Sequence, residues 1–201
     1  MRSGRVGFGC SSLLMVSETA LAHSPIEGIG NFYNGLLHPV FVPAHLLLLL
    51  ALGLFLGQRG LSAVKSAIGL FALAAIAGLT AAWFYTPPNA EIMLLGLSAI
   101  VGLAVAIAPN VTRLPCTVLA LLAGGLLGLD SAQEGLSGQD KLIALIGSGV
   151  AMCLLLFYPM ALAGFVRSKP WQKIGVRIVG SWIAASSLLV LALSLSTQAQ
   201  T

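Results

Sequence analysis

Residues 38–58 read HPVFVPAHLLLLLALGLFLGQ. From Pro39 to Gln58 this stretch holds no charged residue, and it reaches the roughly 20 residues that a helix needs to cross the hydrocarbon of a bilayer. Five further apolar runs follow, at about 67–85, 92–108, 114–129, 142–166 and 174–196. Pro87-Pro88, Pro109-Asn110, the segment Asp130 to Asp140 and Lys169-Pro170 punctuate them. In lipid every backbone polar group must be satisfied within its own segment, so such runs are expected to be helices. The expected fold is an all-α, six-transmembrane-helix bundle with short connections.

Composition points the same way. Charged residues are 8% of the 201-residue chain and hydrophobic residues 58%, against roughly 25% charged in an ordinary soluble domain. Mean hydropathy is +0.98. A soluble protein of this size needs far more charge to cover its surface, which excludes a soluble enzyme, a disordered chain and a nucleic-acid binder. The net charge of +4 is better read as a topology signal than as a polyanion-binding patch. Cys10, Cys116 and Cys153 have neither the spacing nor the flanking histidines of a metal signature, and read as buried, inert thiols.

The first residues follow the three-part plan of a secretory signal peptide: Arg2 and Arg5, then the stretch Cys10 to Val16, then Ala20-Leu21-Ala22 as an A-x-A cleavage site. Segment 1–22 is therefore expected to be removed, leaving 23–201 as one transmembrane domain. The basic residues after that segment sort by connection. Arg59, Lys65, Arg113, Arg167, Lys169, Lys173 and Arg177 fall in alternate connections, while Glu27, Glu91, Asp130, Glu134 and Asp140 fall in the others or before the first run, with Lys141. By the positive-inside rule both mature termini are expected on the outer side of the membrane. An exported N-terminus leads to the same orientation.

Gly53 and Gly57, and Gly124 and Gly128, are G-x-x-x-G pairs. Such pairs let helix backbones approach closely, and packing is their plain reading. The two halves of the chain would have opposite topologies, as in inverted-repeat transporters, but no internal sequence similarity supports a repeat.

The residues suited to chemistry gather on the expected outer side. His38 and His45 are seven positions apart, so a continuous helix would set them on one face about 10 Å apart. Pro39 suits a first helical turn, whereas Pro43 removes a backbone donor and would bend or loosen it. A loosened turn would bring the imidazoles nearer or expose carbonyls to a cation. An ionisable residue at the membrane boundary, such as His45, is either functional or an interfacial histidine hydrogen-bonded to a neighbouring helix. Asp130 and Glu134 follow the fourth run and would share a face if its helix continued that far; ordinary loop acidity is the alternative. Imidazole with carboxylate suits nickel, cobalt or zinc, and carboxylates at a pore mouth concentrate cations. Cleavage after Ala22 would make His23 an N-terminal ligand with both amine and imidazole. Nothing in the spans resembles a proton-pump carboxylate chain, a voltage-sensing arginine ladder, a P-loop or a hydrolase grouping, so the chain is expected not to be an enzyme.

The A-L-A signal end followed by His23, and the stretch GLLHPVFVPAHLLLLLALGL at residues 35–54, resemble the HupE/UreJ family of small bacterial membrane proteins, associated with hydrogenase and urease gene clusters and regarded as nickel or cobalt permeases. That family's motif is usually written H-P-x-x-G-x-D-H. His38, Pro39 and His45 match it, while Val42 stands where the family has Gly and Ala44 where it has Asp. The family's later histidine-containing stretch corresponds to residues 124–134, which hold no histidine but do hold Asp130 and Glu134. The resemblance implies a permease for a divalent transition-metal cation, nickel or cobalt, entering from the outer face; zinc and copper are further candidate ions. The cation would be substrate or ligand, with no permanent cofactor, and would use His38, His45, Asp130, Glu134 and His23. The missing motif Asp keeps open a second role, a non-transporting accessory protein that binds metal or a partner during metalloenzyme maturation. Expected partners are the lipid bilayer and a metal cation, with a homo-oligomer left open and no nucleic acid.

Overall fold

The computed structural model describes residues 28–198 apart from Thr86, Glu134 and Arg167. Segment 1–22, His23 and Glu134 therefore lie outside the described residues. The described residues form seven helices: α1 (Asn31–Phe41), α2 (Pro43–Gly57), α3 (Leu61–Ala81), α4 (Ala90–Ile107), α5 (Arg113–Leu129), α6 (Gly138–Phe165) and α7 (Pro170–Gln198). No strand occurs among the described residues.

Four of these helices, α3, α4, α6 and α7, are long and apolar enough to cross a membrane. The pair α1–α2 passes the same test only if its two bent parts are taken together, and α5 is a shorter apolar helix of 17 residues. Large apolar side chains point outward along them, among them Leu73, Leu154, Trp182 and Leu189. A surface of that kind belongs against lipid tails rather than water. This is a membrane protein.

The expected first span, 39–58, is the main departure. Two helices stand in its place, meeting at Val42 with an angle of 72°. Pro39 does not open a helix; it lies inside α1, and Pro43 is the residue that opens α2. The cause is local. Pro43 has no N–H to give the Pro39 carbonyl, and its ring pushes the preceding residue out of the helical region. Val42 accordingly adopts φ −87°, ψ 107°. Its N–H still donates to the His38 carbonyl at 3.0 Å, and its carbonyl accepts from the Leu46 N–H at 3.1 Å. Val42 thus closes the last backbone bond of α1 and accepts the first of α2.

Helix α2 is the central element, with eleven of its fifteen residues buried. That explains why it is apolar all round: a helix surrounded by others has no solvent stripe. The other helices pair around it through small residues. A Cβ at Gly53 or Gly57 would meet Leu156, Pro159 or Met160 of α6; one at Gly124 or Gly128 would meet Phe71 or Ala75 of α3. Both G-x-x-x-G pairs are therefore packing surfaces. Ser98 of α4 and Ser187 of α7 join their hydroxyls at 2.8 Å beside the Gly102–Gly180 approach.

Two expectations about side chains change. The fourth run does not continue as helix to residue 134: α5 ends at Leu129, and Asp130 is its C-cap. Of the cysteines, Cys116 is buried but Cys153 is exposed on α6, because a long apolar run does not say which of its faces turns outward; Cys10 lies outside the described residues.

From α2 onward the helices alternate in direction, as contacts between their ends show. Lys141, opening α6, donates to the Trp83 carbonyl just after α3 at 3.1 Å, and Gln198, closing α7, donates to Asn89 before α4 at 3.2 Å. At the opposite end Arg59 after α2 reaches the Pro109 carbonyl at 3.3 Å, and Arg177 of α7 reaches the Ala106 carbonyl at 2.6 Å. The charges divide with the ends: Glu91, Asp130, Asp140 and Lys141 on one, Arg59, Lys65, Arg113, Lys169, Lys173 and Arg177 on the other.

Candidate functional site

The corner between α1 and α2 carries the candidate site. His38 sits in the last turn of α1, and His45 is the third residue of α2. The 72° bend folds the two helices toward each other, so the ring centroids are 5.1 Å apart with their planes at 88°. That is half the separation of a continuous helix. The proline-loosened turn is the one that applies.

Helix α6 fixes α1 in this place. Gly35 and Gly147 face each other's helices so closely that a Cβ at Gly35 would fall on the Ala144 carbonyl, and one at Gly147 on the Phe32 carbonyl. Ser148 Oγ donates to the Gly35 carbonyl at 3.1 Å, one turn before His38. The buried hydroxyl gives that close helix pair a polar tie.

Asp130 is brought to the corner from α5. Its Oδ2 is 3.0 Å from His45 Nε2. His45 has no exposed surface, and Asp130 is 5% exposed. With Asp130 ionised the carboxylate only accepts, and Nε2 then carries the proton and donates it. In a neutral imidazole this leaves Nδ1 as the lone-pair nitrogen, and Nδ1 of His45 is buried with no hydrogen-bond partner among the described residues. A carboxylate that fixes one ring nitrogen as donor and presents the other as a base is the arrangement that accompanies metal-binding histidines.

His38, His45 and Asp130 are thus assembled at one end of the molecule, while His23 and Glu134 lie outside the described residues. Among the described residues no group of three His, Cys, Asp or Glu side chains is arranged to hold a metal ion. Sequence reasoning missed several buried polar residues at this end: Asn34, Ser131 and Gln133. Asn34 precedes His38 by one helical turn, and Ser131 and Gln133 follow Asp130. Ser131 Oγ donates back to the Leu127 carbonyl at 2.6 Å, and Gln133 Oε1 is a buried acceptor without a partner among the described residues. Their signal was position, uncharged amide or hydroxyl groups within four residues of a candidate ligand, rather than residue type.

A family profile described as HupE / UreJ protein matches residues 11–190. The chain belongs to the HupE/UreJ family. No curated protein and no solved structure matches it significantly. Within this HupE/UreJ protein, Ala44 occupies the position before His45 and is fully buried, so it supplies no polar group there. The carboxylate that meets His45 instead comes from α5, 85 residues further along the chain.

Proposed function

We propose that this HupE/UreJ protein is a permease for a divalent transition-metal cation, nickel or cobalt first by family, which enters from the end that carries the bent α1–α2 pair. The observation that carries this reading is His45, held by Asp130 through Nε2 at 3.0 Å, with a buried Nδ1 that has no hydrogen-bond partner among the described residues, next to His38. Imidazole nitrogens suit first-row divalent metals. Asp130 then acts mainly by orienting His45 and strengthening its basicity. Two protein nitrogens bind a passing ion weakly enough to release it, as conduction requires, and Glu134 and an N-terminal His23 are further donors that the sequence offers. In this reading the protein is not an enzyme.

The same reading places the chain in the bacterial inner membrane with six spans, the α1–α2 pair counting as one and α5 as another, and both mature termini outside. The charge division between the two ends supports that orientation under the positive-inside rule.

The test is uptake of nickel, cobalt, zinc and copper into proteoliposomes containing the full chain, its His38→Ala variant or its His45→Ala variant. Uptake of nickel or cobalt by the full chain, abolished in both variants, is the expected result. Uptake that persists in both variants would remove the transport site from this corner. Metal bound by purified protein without any flux would assign the accessory role in metalloenzyme maturation instead.

A further inference from the structure

The opposite end of the bundle holds a cavity of about 730 Å³, lined by Arg59, Lys173 and Arg177 together with Gln58, Asn110 and Val176. It lies where the chain leaves α2, α4 and α6 and enters α3 and α7, so it is walled by several helices rather than by one loop. None of its three cations pairs with a carboxylate among the described residues; the ion pair shown there is His45 with Asp130, at the other end. Arg59 is held by backbone carbonyls of Phe55 and Pro109 and lies over the Phe55 ring, its Cζ 3.5 Å from the centroid. Its Nε is buried and has no partner among the described residues. Burial draws its pKa below the ordinary arginine value. Arg177 caps the last turn of α4 through Ala106. Capping of a helix C-terminus explains those two placements, but Lys173 lines the same cavity and its ammonium has no protein partner among the described residues.

We infer that this cavity binds a phosphate group, and that its carrier is an anionic phospholipid whose headgroup sits among Arg59, Lys173 and Arg177. Guanidinium groups match phosphate oxygens with paired N–H donors, and the lysine adds a mobile point charge. Basic pockets between membrane helices are suited to anionic headgroups. A second, mainly apolar cleft of about 280 Å³ shares Arg177 with the first and runs along Ile174, Ile178 and Ser181 of α7 beside Ala106 of α4. It offers an acyl chain a seat that a free phosphate ion would leave empty. The three uncompensated positive charges also make this cavity a poor resting place for a divalent cation, so the anion site stands apart from the metal reading.

The experiment is a titration of the purified full chain in mild detergent with short-chain phosphatidylglycerol, short-chain phosphatidylcholine or inorganic phosphate, read as the shift in Tm. Phosphatidylglycerol raises Tm saturably and phosphatidylcholine does not. Lys173→Gln, which breaks no protein hydrogen bond, weakens the apparent affinity about five-fold, the effect of one interfacial charge. Lys173→Arg retains it, and Lys141→Gln at the opposite end leaves it unchanged. If inorganic phosphate alone matches phosphatidylglycerol at equal concentration, the phosphate site stands and its source is the free ion. Equal responses to both lipids with none to phosphate, an unchanged affinity in Lys173→Gln, or an equal loss in Lys141→Gln would each overturn the proposal.

Discussion

The two ends of the bundle handle charge in opposite ways. At one end a carboxylate and an imidazole are drawn into the interior and joined, Asp130 to His45 at 3.0 Å. At the other, Arg59, Lys173 and Arg177 ring a cavity: Arg59 meets backbone carbonyls and the Phe55 ring, Arg177 meets a backbone carbonyl, and the Lys173 ammonium has no protein partner among the described residues. A buried pair is costly to break, because the partner left behind remains out of water. An exposed cation such as Lys173 stays solvated, so its removal changes little. The first arrangement withdraws an ionisable pair from water, the second leaves cations at the boundary of the bundle.

The largest expected effect tests that contrast directly. His45→Ala leaves the buried Asp130 carboxylate without its imidazole and is expected to cost about 3–5 kcal/mol of stability. Lys173→Gln, in detergent without anionic lipid, is expected to stay within about 0.5 kcal/mol. Thermal or denaturant unfolding of both variants in the same detergent checks this, and equal losses would erase the difference between the ends.

Asp130→Asn sharpens the comparison from within the histidine end. The amide keeps the shape but no longer selects the Nε2–H tautomer of His45. Loss of such an orienting carboxylate typically lowers metal affinity about 10- to 100-fold, and calorimetric titration with nickel measures it. An unchanged affinity would mean that Asp130 does not act through His45.

The third prediction concerns how the histidine end is held. Gly35→Ala puts a methyl group on the Ala144 carbonyl and is expected to destabilise by about 1–3 kcal/mol, shifting His38 with α1. Gly69→Ala on α3 has open space around its new Cβ and should be neutral or gain up to about 1 kcal/mol from helix propensity. Midway between these contrasts, Ser98→Ala loses the hydroxyl pair with Ser187, which is expected to cost about 0.6 kcal/mol.

Much of this arrangement was legible in the residues. The sorting of basic residues into alternate connections anticipated two chemically distinct ends, and the contacts of Lys141 with Trp83 and of Arg177 with Ala106 join helix ends in that pattern. The G-x-x-x-G pairs announced close helix approaches. The corner at Val42 was only half legible: Pro43 signalled a weakness, but whether a proline kinks a helix or divides it depends on what receives each part. Here α6 receives both, through Gly147 for α1 and through Leu156 and Pro159 for α2. The end of α5 was not legible, since the residues after Leu129 carry no proline or glycine until Gly135, and Asp130 leaves the helix to meet a histidine that no local rule could supply.

By itself, then, the sequence determined the solvent, the number and approximate limits of the apolar runs, and which end of each carries which charge. Those follow from transfer free energies and chain order, which act residue by residue. Only the tertiary structure decided that the first run is two helices, that His38 and His45 sit 5.1 Å apart, and that the carboxylate missing beside His45 arrives from α5. These depend on which backbones can approach one another, and a hydrogen bond between groups 85 positions apart exists only once the helices between them have packed.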